Sequence, residues 1–413
     1  MDRLQRFRDA HFGLFVHWGS YSLKGFEASW PLVWGEISYE EYAALAREFN
    51  PTKYDPTEWA ALAKAAGMRY VVLTTKHHDG YALFDTALSD YSAPKTAPGR
   101  DLVREYVDAV RAAGLMIGFY FSLCDWYHPD YPAKTLRPHM DRHPQAVPPG
   151  APESIEADPA RWARYLEFMH GQVRELLTNY GTIDYVFFDG QWDHTAEEWK
   201  AEELLAMMHE LQPEIVVNDR LNAPGRLGDI GTPEQYVPVA GWDRPWETNM
   251  TINETWAYNP KDRAYKPARE LVATLAEVSA KGGNFLLNVG PTPEGEIPVE
   301  FASRLRVVGE WMERNGESIF APGAGLPPGS FYGPTTGGDD AVYIHVLGRP
   351  GGDQVLVRGM EGRRVAEATL LSDGRALEFD LHRGHLEQGA VRVVLPDAWL
   401  DPLDTVVKLR FEG

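Results

Sequence analysis

Tyr185-Val186-Phe187-Phe188-Asp189-Gly190 decides the fold. Four apolar residues in a row stop at an acid, and a glycine follows. A run that is apolar on both alternating faces reads as a strand covered on both sides, as in a parallel sheet sheathed by helices. An aspartate at the C-terminal end of such a strand stands where parallel barrels keep their chemistry. Gly190 lets the chain turn at once and leaves the mouth open. Asp189 is therefore the first candidate nucleophile.

The same grammar repeats along the chain. Phe12-Gly13-Leu14-Phe15-Val16-His17, Tyr70 to His78, Met116 to Ser122, Glu214 to Arg220 and Asn284 to Val289 are apolar runs that end in polar residues. Trp246 to Met250 reads as a weaker sixth strand. Helical periodicity lies between them, with start signals at Asp55-Pro56 and Asp101, and stops at Gly67 and Gly114. Pro159 to Asn179, Thr195 to Leu211, Pro267 to Lys281 and Val299 to Asn315 complete the helices, and Asp130 to Pro159 reads as a proline-rich surface loop. Alternating strands and helices predict a (β/α)8-like barrel. One strand of the eight, the seventh, is not visible, as expected if it is short or lies near Trp256. An open doubly wound sheet would need a G-x-G-x-x-G turn after the first strand, which is absent.

The pattern changes after Phe320. A Gly- and Pro-rich linker is expected over 321–338. Short β-rich runs follow at 342–346, 354–357, 368–371, 391–395 and 406–409, the spacing of a small antiparallel β-sandwich over 339–413. The barrel domain is then 1–320. At 413 residues, two such units are the expected division.

Composition narrows the function classes. A net charge of -20 argues against nucleic acid or an anionic membrane as partner, since both call for basic patches. No run is long enough to cross a bilayer, and the first residues lack an apolar secretion segment, so a cytoplasmic location is expected. The single cysteine, Cys124, excludes an internal disulfide. The 13 Trp and 19 Tyr lean toward carbohydrate, although core packing accounts for most of them. No cofactor motif is present.

A barrel would bring His17, His77, His78, Tyr120, Asp189, Arg220 and Glu247 to one face, far apart as they are in sequence. Each has a plainer reading. A strand-end Asp can be a turn former, a strand-end His a hydrogen-bonded structural group, and Arg220 a partner for Asp219. His77 and His78 are neighbours on a strand, so only one should face the interior squarely.

Taken together, the motifs resemble a family. Phe15-Val16-His17-Trp18-Gly19, Lys76-His77-His78-Asp79-Gly80, Phe188-Asp189-Gly190, Asn218-Asp219-Arg220, Thr232-Pro233-Glu234-Gln235 and Lys281 to Pro291 look like the signatures of the α-L-fucosidases of glycoside hydrolase family 29. The resemblance implies a retaining exo-hydrolase acting on terminal α-L-fucose of fucosylated oligosaccharides. It makes Asp189 the nucleophile and Glu234 the general acid/base. It also assigns His17, Trp30, His77, His78, Tyr120, Arg220 and Trp256 to sugar binding, with Trp256 on the methyl side. The sequence departs from the pattern once. Where the family carries Glu-Trp, this chain has Glu27-Ala28-Ser29-Trp30, so either Glu27 or Glu36 substitutes for the acid or a sugar contact is missing.

The chemistry is consistent with these residue types. Glycoside cleavage takes two carboxyl groups in opposite protonation states. Asp189 must stay ionised, which cationic Arg220 favours. Glu234 must start protonated, which apolar surroundings or the Asp189 charge would favour. Glu247 is the fallback acid. A metal-dependent hydrolase using His17, His77, His78 and Asp189 is an alternative, and a catalytically inactive fucose-binding protein is another.

Overall fold

The computed structural model describes residues 3–132, 144–222, 225–321, 323, 325–360, 362–381 and 389–412. Part of the expected surface loop, 133–143, lies outside them. Seven parallel strands form one curled sheet: β1 (Phe12–Val16), β2 (Tyr70–Lys76), β3 (Met116–Ser122), β4 (Tyr185–Asp189), β5 (Val216–Val217), β6 (Glu247–Thr251) and β7 (Asn284–Val289). Their order is β5-β4-β3-β2-β1-β7-β6.

The eighth position is not near Trp256. It is filled by the segment 227–235, which the sequence presents as a loop because Gly, Pro and Asp interrupt it. Ile230 pairs with Asn218 beyond β5, Gly231 with Trp246, and Glu234 with Asn249 of β6, all in parallel. Backbone bonds run from Glu247 N–H to Gly231 O (2.9 Å) and from Gln235 N–H to Asn249 O (2.9 Å). The ring closes through these bridges, giving a (β/α)8-like barrel. Trp256 lies in the connection after β6.

Strand alternation divides the core in two. Phe12, Leu14, Val16, Val186 and Phe188 pack outward among the surrounding helices. Phe15, Tyr70, Val72, Tyr120, Tyr185, Phe187 and Leu286 fill the barrel interior with Phe7. Phe7 belongs to the helix Arg3–Arg8, and its ring sits 4.9 Å from Tyr185 and 5.6 Å from Tyr70, which closes the floor. Asp189 shares the parity of Tyr185 and Phe187, so it points inward above them.

The helices start much as their capping residues predict. Asp55 accepts from Thr57 N–H, Asp101 from Arg104 N–H and Asp158 from Arg161 N–H. Two helices in the excursion after β1, Trp30–Trp34 and Tyr39–Glu48, are not among the expected elements, although the second starts on a capping box of Ser38 and Glu41 and buries Tyr42, Leu45 and Ala46 on one face. The expected helix over 195–211 is broken at Lys200, whose φ of 49° interrupts it between Ala196–Trp199 and Ala201–Leu211.

The last barrel helix, Val299–Phe320, leads into the β-domain. That domain has a four-stranded antiparallel sheet of β8 (Thr335–Gly337), β9 (Ala341–Val346), β11 (Val365–Leu370) and β14 (Thr405–Phe411). A three-stranded antiparallel sheet combines β10 (Gln354–Val357), β12 (Phe379–Leu381) and β13 (Val391–Val394). Strand β8 falls inside the stretch expected to be linker. The domain has its own core around Val342, Ile344, Val393 and Leu409. It is tied to the barrel helix by Trp311 Nε1 donating to Asp404 O (2.8 Å) and by Tyr343 OH and Lys408 Nζ on Glu317.

Candidate active site

At the C-terminal mouth of the barrel lies a cavity of about 380 Å³, lined by Phe15, His17, Trp30, His77, Tyr120, Phe187, Asp189, Trp192, Arg220, Glu234, Asn249 and Trp256. Nearly every residue expected there is in its wall. Asp189 is held on both oxygens: Arg220 Nη1 lies 2.9 Å from Oδ1, and Tyr120 OH donates to Oδ2 at 3.0 Å. His78 Nε2 stands 3.7 Å from Oδ2. Burial pushes this carboxyl up, but Arg220, His78 and the two hydrogen bonds outweigh it and hold the group below the usual carboxylate range. Gly190 turns with φ 82°, and a side chain there would strike Cys124 Sγ at 2.7 Å. Only glycine lets β4 end at this point.

Arg220 binds a second acid. Its Nη2 is 2.8 Å from Glu234 Oε2, and Nε and Nη2 also donate to Thr232 Oγ1 (3.1 Å) and Thr232 O (3.2 Å). Phe187 lies beneath the guanidinium at 5.0 Å. Asp189 and Glu234, 45 positions apart in sequence by their numbers, are thus bridged by one cation across the cavity. The apolar surroundings expected for Glu234 are not found. Its side chain is 42% exposed, with Arg220 on its carboxylate.

Three imidazoles line or back the hollow, each fixed by a neighbour on its Nδ1. His17 meets Asn288 Oδ1 (2.7 Å), His78 meets Ser122 Oγ (2.6 Å), and His77 meets Ser29 Oγ. Burial pulls His17 and His78 down to about 4 and His77 well below its ordinary value, so all three are neutral at pH 7. The strand pairing explains the adjacent pair. A register shift inserts an extra residue between Thr74 and Lys76, so Lys76 turns outward over the Phe121 ring and His77 turns inward. His77 lies parallel to Tyr120 at 5.4 Å, while His78 approaches Asp189 from the side.

The two candidate replacements for the family acid are elsewhere. Glu27 does not line the cavity. Its carboxylate accepts the Trp256 N–H at 2.8 and 3.0 Å, and burial raises it to about 7. Glu36 is exposed. Ser29 occupies the position itself and contacts His77. The fallback acid Glu247 is also misplaced: it begins β6 rather than ending a strand. It sits on the barrel floor, 0% exposed, with Tyr70 OH and Tyr185 OH (2.9 Å) donating to it. Burial raises its carboxyl to about 8, with the tyrosine bonds offsetting part of that.

Sequence reasoning missed several participants. Asn288, which lies in the Lys281 to Pro291 motif but was given no site role of its own, joins His17 to Trp256, donating from Nδ2 to Trp256 O at 2.6 Å. Trp256 stands 5.1 Å from the His17 ring. Trp192, two residues beyond Gly190, stacks 6.1 Å from Trp30 at the mouth. Its spacing from Asp189 in a turn offered the one signal. Metal ligation is not the geometry seen: among the described residues no three His, Cys, Asp or Glu side chains converge to hold a metal ion.

A sugar-sized hollow with two carboxylates on facing strand ends, rimmed by tryptophans, defines a glycoside hydrolase type of site. The family model described as Alpha-L-fucosidase matches residues 2–317. The chain belongs to the alpha-L-fucosidase family, glycoside hydrolase family 29. It is 30% identical over 342 residues to the human tissue alpha-L-fucosidase, covering 76% of this chain and 68% of that one. It is 28% identical over 400 residues to the Dictyostelium discoideum alpha-L-fucosidase, covering 88% and 82%. Among solved structures, alpha-L-fucosidase isoenzyme 1 from Paenibacillus thiaminolyticus matches with TM-score 0.90 and 42% identity, over 100% of this chain and 99% of that one. A Bacteroides thetaiotaomicron family 29 enzyme, trapped as a covalent intermediate with 2-fluoro-fucosyl fluoride, matches with TM-score 0.86 and 29% identity, over 100% and 97%.

Proposed function

We propose that the chain hydrolyses terminal α-L-fucosyl residues by double displacement, with Asp189 as nucleophile and Glu234 as general acid/base. The observation that carries this is the shared guanidinium: Asp189 and Glu234 face one hollow through Arg220. Asp189, kept ionised, attacks the anomeric carbon while Glu234 protonates the departing oxygen. Water, activated by Glu234, then releases fucose with the anomeric configuration retained. The relative trapped as a covalent intermediate supports this two-step course. To donate its proton, Glu234 has to exchange its bond to Arg220 for one to the leaving oxygen. The neutral imidazoles of His17 and His77 offer one donor or acceptor each to the sugar hydroxyls. Trp256 and Phe15 supply an apolar wall for the 6-methyl, a contact of about 1 kcal/mol.

The azide products test both roles. Azide should restore turnover in Glu234→Ala by attacking the fucosyl-enzyme, giving the α-fucosyl azide. In Asp189→Gly azide attacks the substrate directly, giving the β-anomer. The opposite anomers, or rescue in Glu247→Ala instead, would overturn the assignment.

A further inference from the structure

We infer that Gln235 is a positioning residue for Glu234, which rests on Glu234 being the proton donor. Gln235 is one of four non-glycine residues with positive φ among those described, at 60°. An L side chain adopts this left-handed backbone reluctantly, and glycine would adopt it freely. The glutamine must therefore contribute something that glycine cannot.

Its amide does. Nε2 donates to Thr251 Oγ1 at 3.1 Å, and Oε1 accepts the Thr251 N–H at 3.3 Å. The clamp fixes the end of the 227–235 segment to the C-terminal end of β6. Backbone bonds flank Glu234 on both sides, from Asn249 N–H to Pro233 O (3.2 Å) and from Gln235 N–H to Asn249 O (2.9 Å). Thr248 Oγ1 holds Tyr236 O at 2.7 Å. This segment is paired to its neighbours only through isolated bridges. The Gln235 clamp adds a side-chain tie to these backbone bonds at the segment's last residue. With the backbone pinned, Glu234 can release Arg220 and reach the leaving oxygen by side-chain rotation alone.

The test uses Gln235→Gly, which keeps the backbone conformation and removes the amide, and Thr251→Val, which removes the hydroxyl that accepts from Nε2 and donates to Asn253 O but leaves the Thr251 N–H to Oε1. On a fucosyl disaccharide, whose leaving group needs a proton, kcat/KM should fall about 10- to 100-fold. On an aryl fucoside with an acidic phenol, the loss should be at most about 3-fold, since that leaving group departs unaided. Inhibition by free fucose should be unchanged in both variants, which shows that the sugar site is intact. Full activity of Gln235→Gly on the disaccharide would overturn the inference. So would equal losses on both substrates together with weakened fucose inhibition, the mark of a merely structural role. If Glu234→Ala shows no dependence on the leaving group, the acid assignment fails and Gln235 falls with it. If Glu234→Ala shows that dependence and the Gln235 and Thr251 variants do not, only the inference is wrong.

Discussion

At Asp189, the proposed nucleophile, two opposing effects act on one carboxyl and the favourable one is larger. Burial alone would raise it, and Arg220, His78 and Tyr120 bring it below the ordinary range. The imidazoles respond differently. At His17 and His78 the Asp189 charge, joined at His17 by the bond to Asn288, offsets only part of the loss of water, so both fall to about 4. A base with a lowered value stays neutral until the pH falls to that value. Hence kcat/KM should hold from neutral pH down to about one unit above 4 and then decline as His17 and His78 take up charge beside Arg220. A pH–rate profile on an aryl fucoside measures this, and a fall already complete at pH 6 would contradict it. These residues were legible in the sequence because each follows an apolar run. Ser29 and Asn288 were not: a serine hydroxyl on His77 and an amide on His17 leave no periodic trace, and their partners come from other strands.

At the scale of elements, parity did most of the work. Phe187 and Asp189 share a face, so reading β4 as a buried strand also aimed its acid into the barrel. Parity failed where the ladder slips. The extra residue in β2 decides that His77, not His78, lines the hollow, and a single sequence does not show a bulge. It failed again at 227–235, whose Gly, Pro and Asp mask a strand position held by a few bridges. Glu247 was grouped with the residues of the mouth, but it stands at the start of β6, at the other end of the barrel. Its place on the floor makes it a stability residue. The folded value, about 8, is above the unfolded value of roughly 4.3, so its contribution is complete below the latter and is lost as pH rises through the former. Between about pH 5 and 8 the protein should lose stability, and Glu247→Gln should flatten that slope by up to about 1.4 kcal/mol per pH unit. Denaturant titrations at the two pH values decide it, and an unchanged slope in the variant would remove the raised carboxyl from the account. Glu247→Ala, which strands two tyrosine hydroxyls, should cost about 3 kcal/mol at pH 7.

The whole molecule joins a barrel that is open at one end to a β-domain docked on its last helix. The floor is shut by Phe7, and the mouth at the opposite end is where the ends of β1, β2, β3 and β4 deliver His17, His77, Tyr120 and Asp189. The β-domain buries His345 and Asp404 against each other at 2.6 Å, next to Trp311 of that helix, and none of its described residues lies in the cavity wall. Its sandwich was readable from short alternating runs. Strands β8 and β12, three residues each, were too short to stand out from the turns around them. The deciding measurement is mass spectrometry of the protein incubated with 2-fluoro-fucosyl fluoride and then digested. A fucosyl adduct on the peptide carrying Asp189, absent from Asp189→Ala, is the expected result. An adduct on another carboxylate, or first-formed fucose of inverted configuration with no adduct at all, would contradict the mechanism.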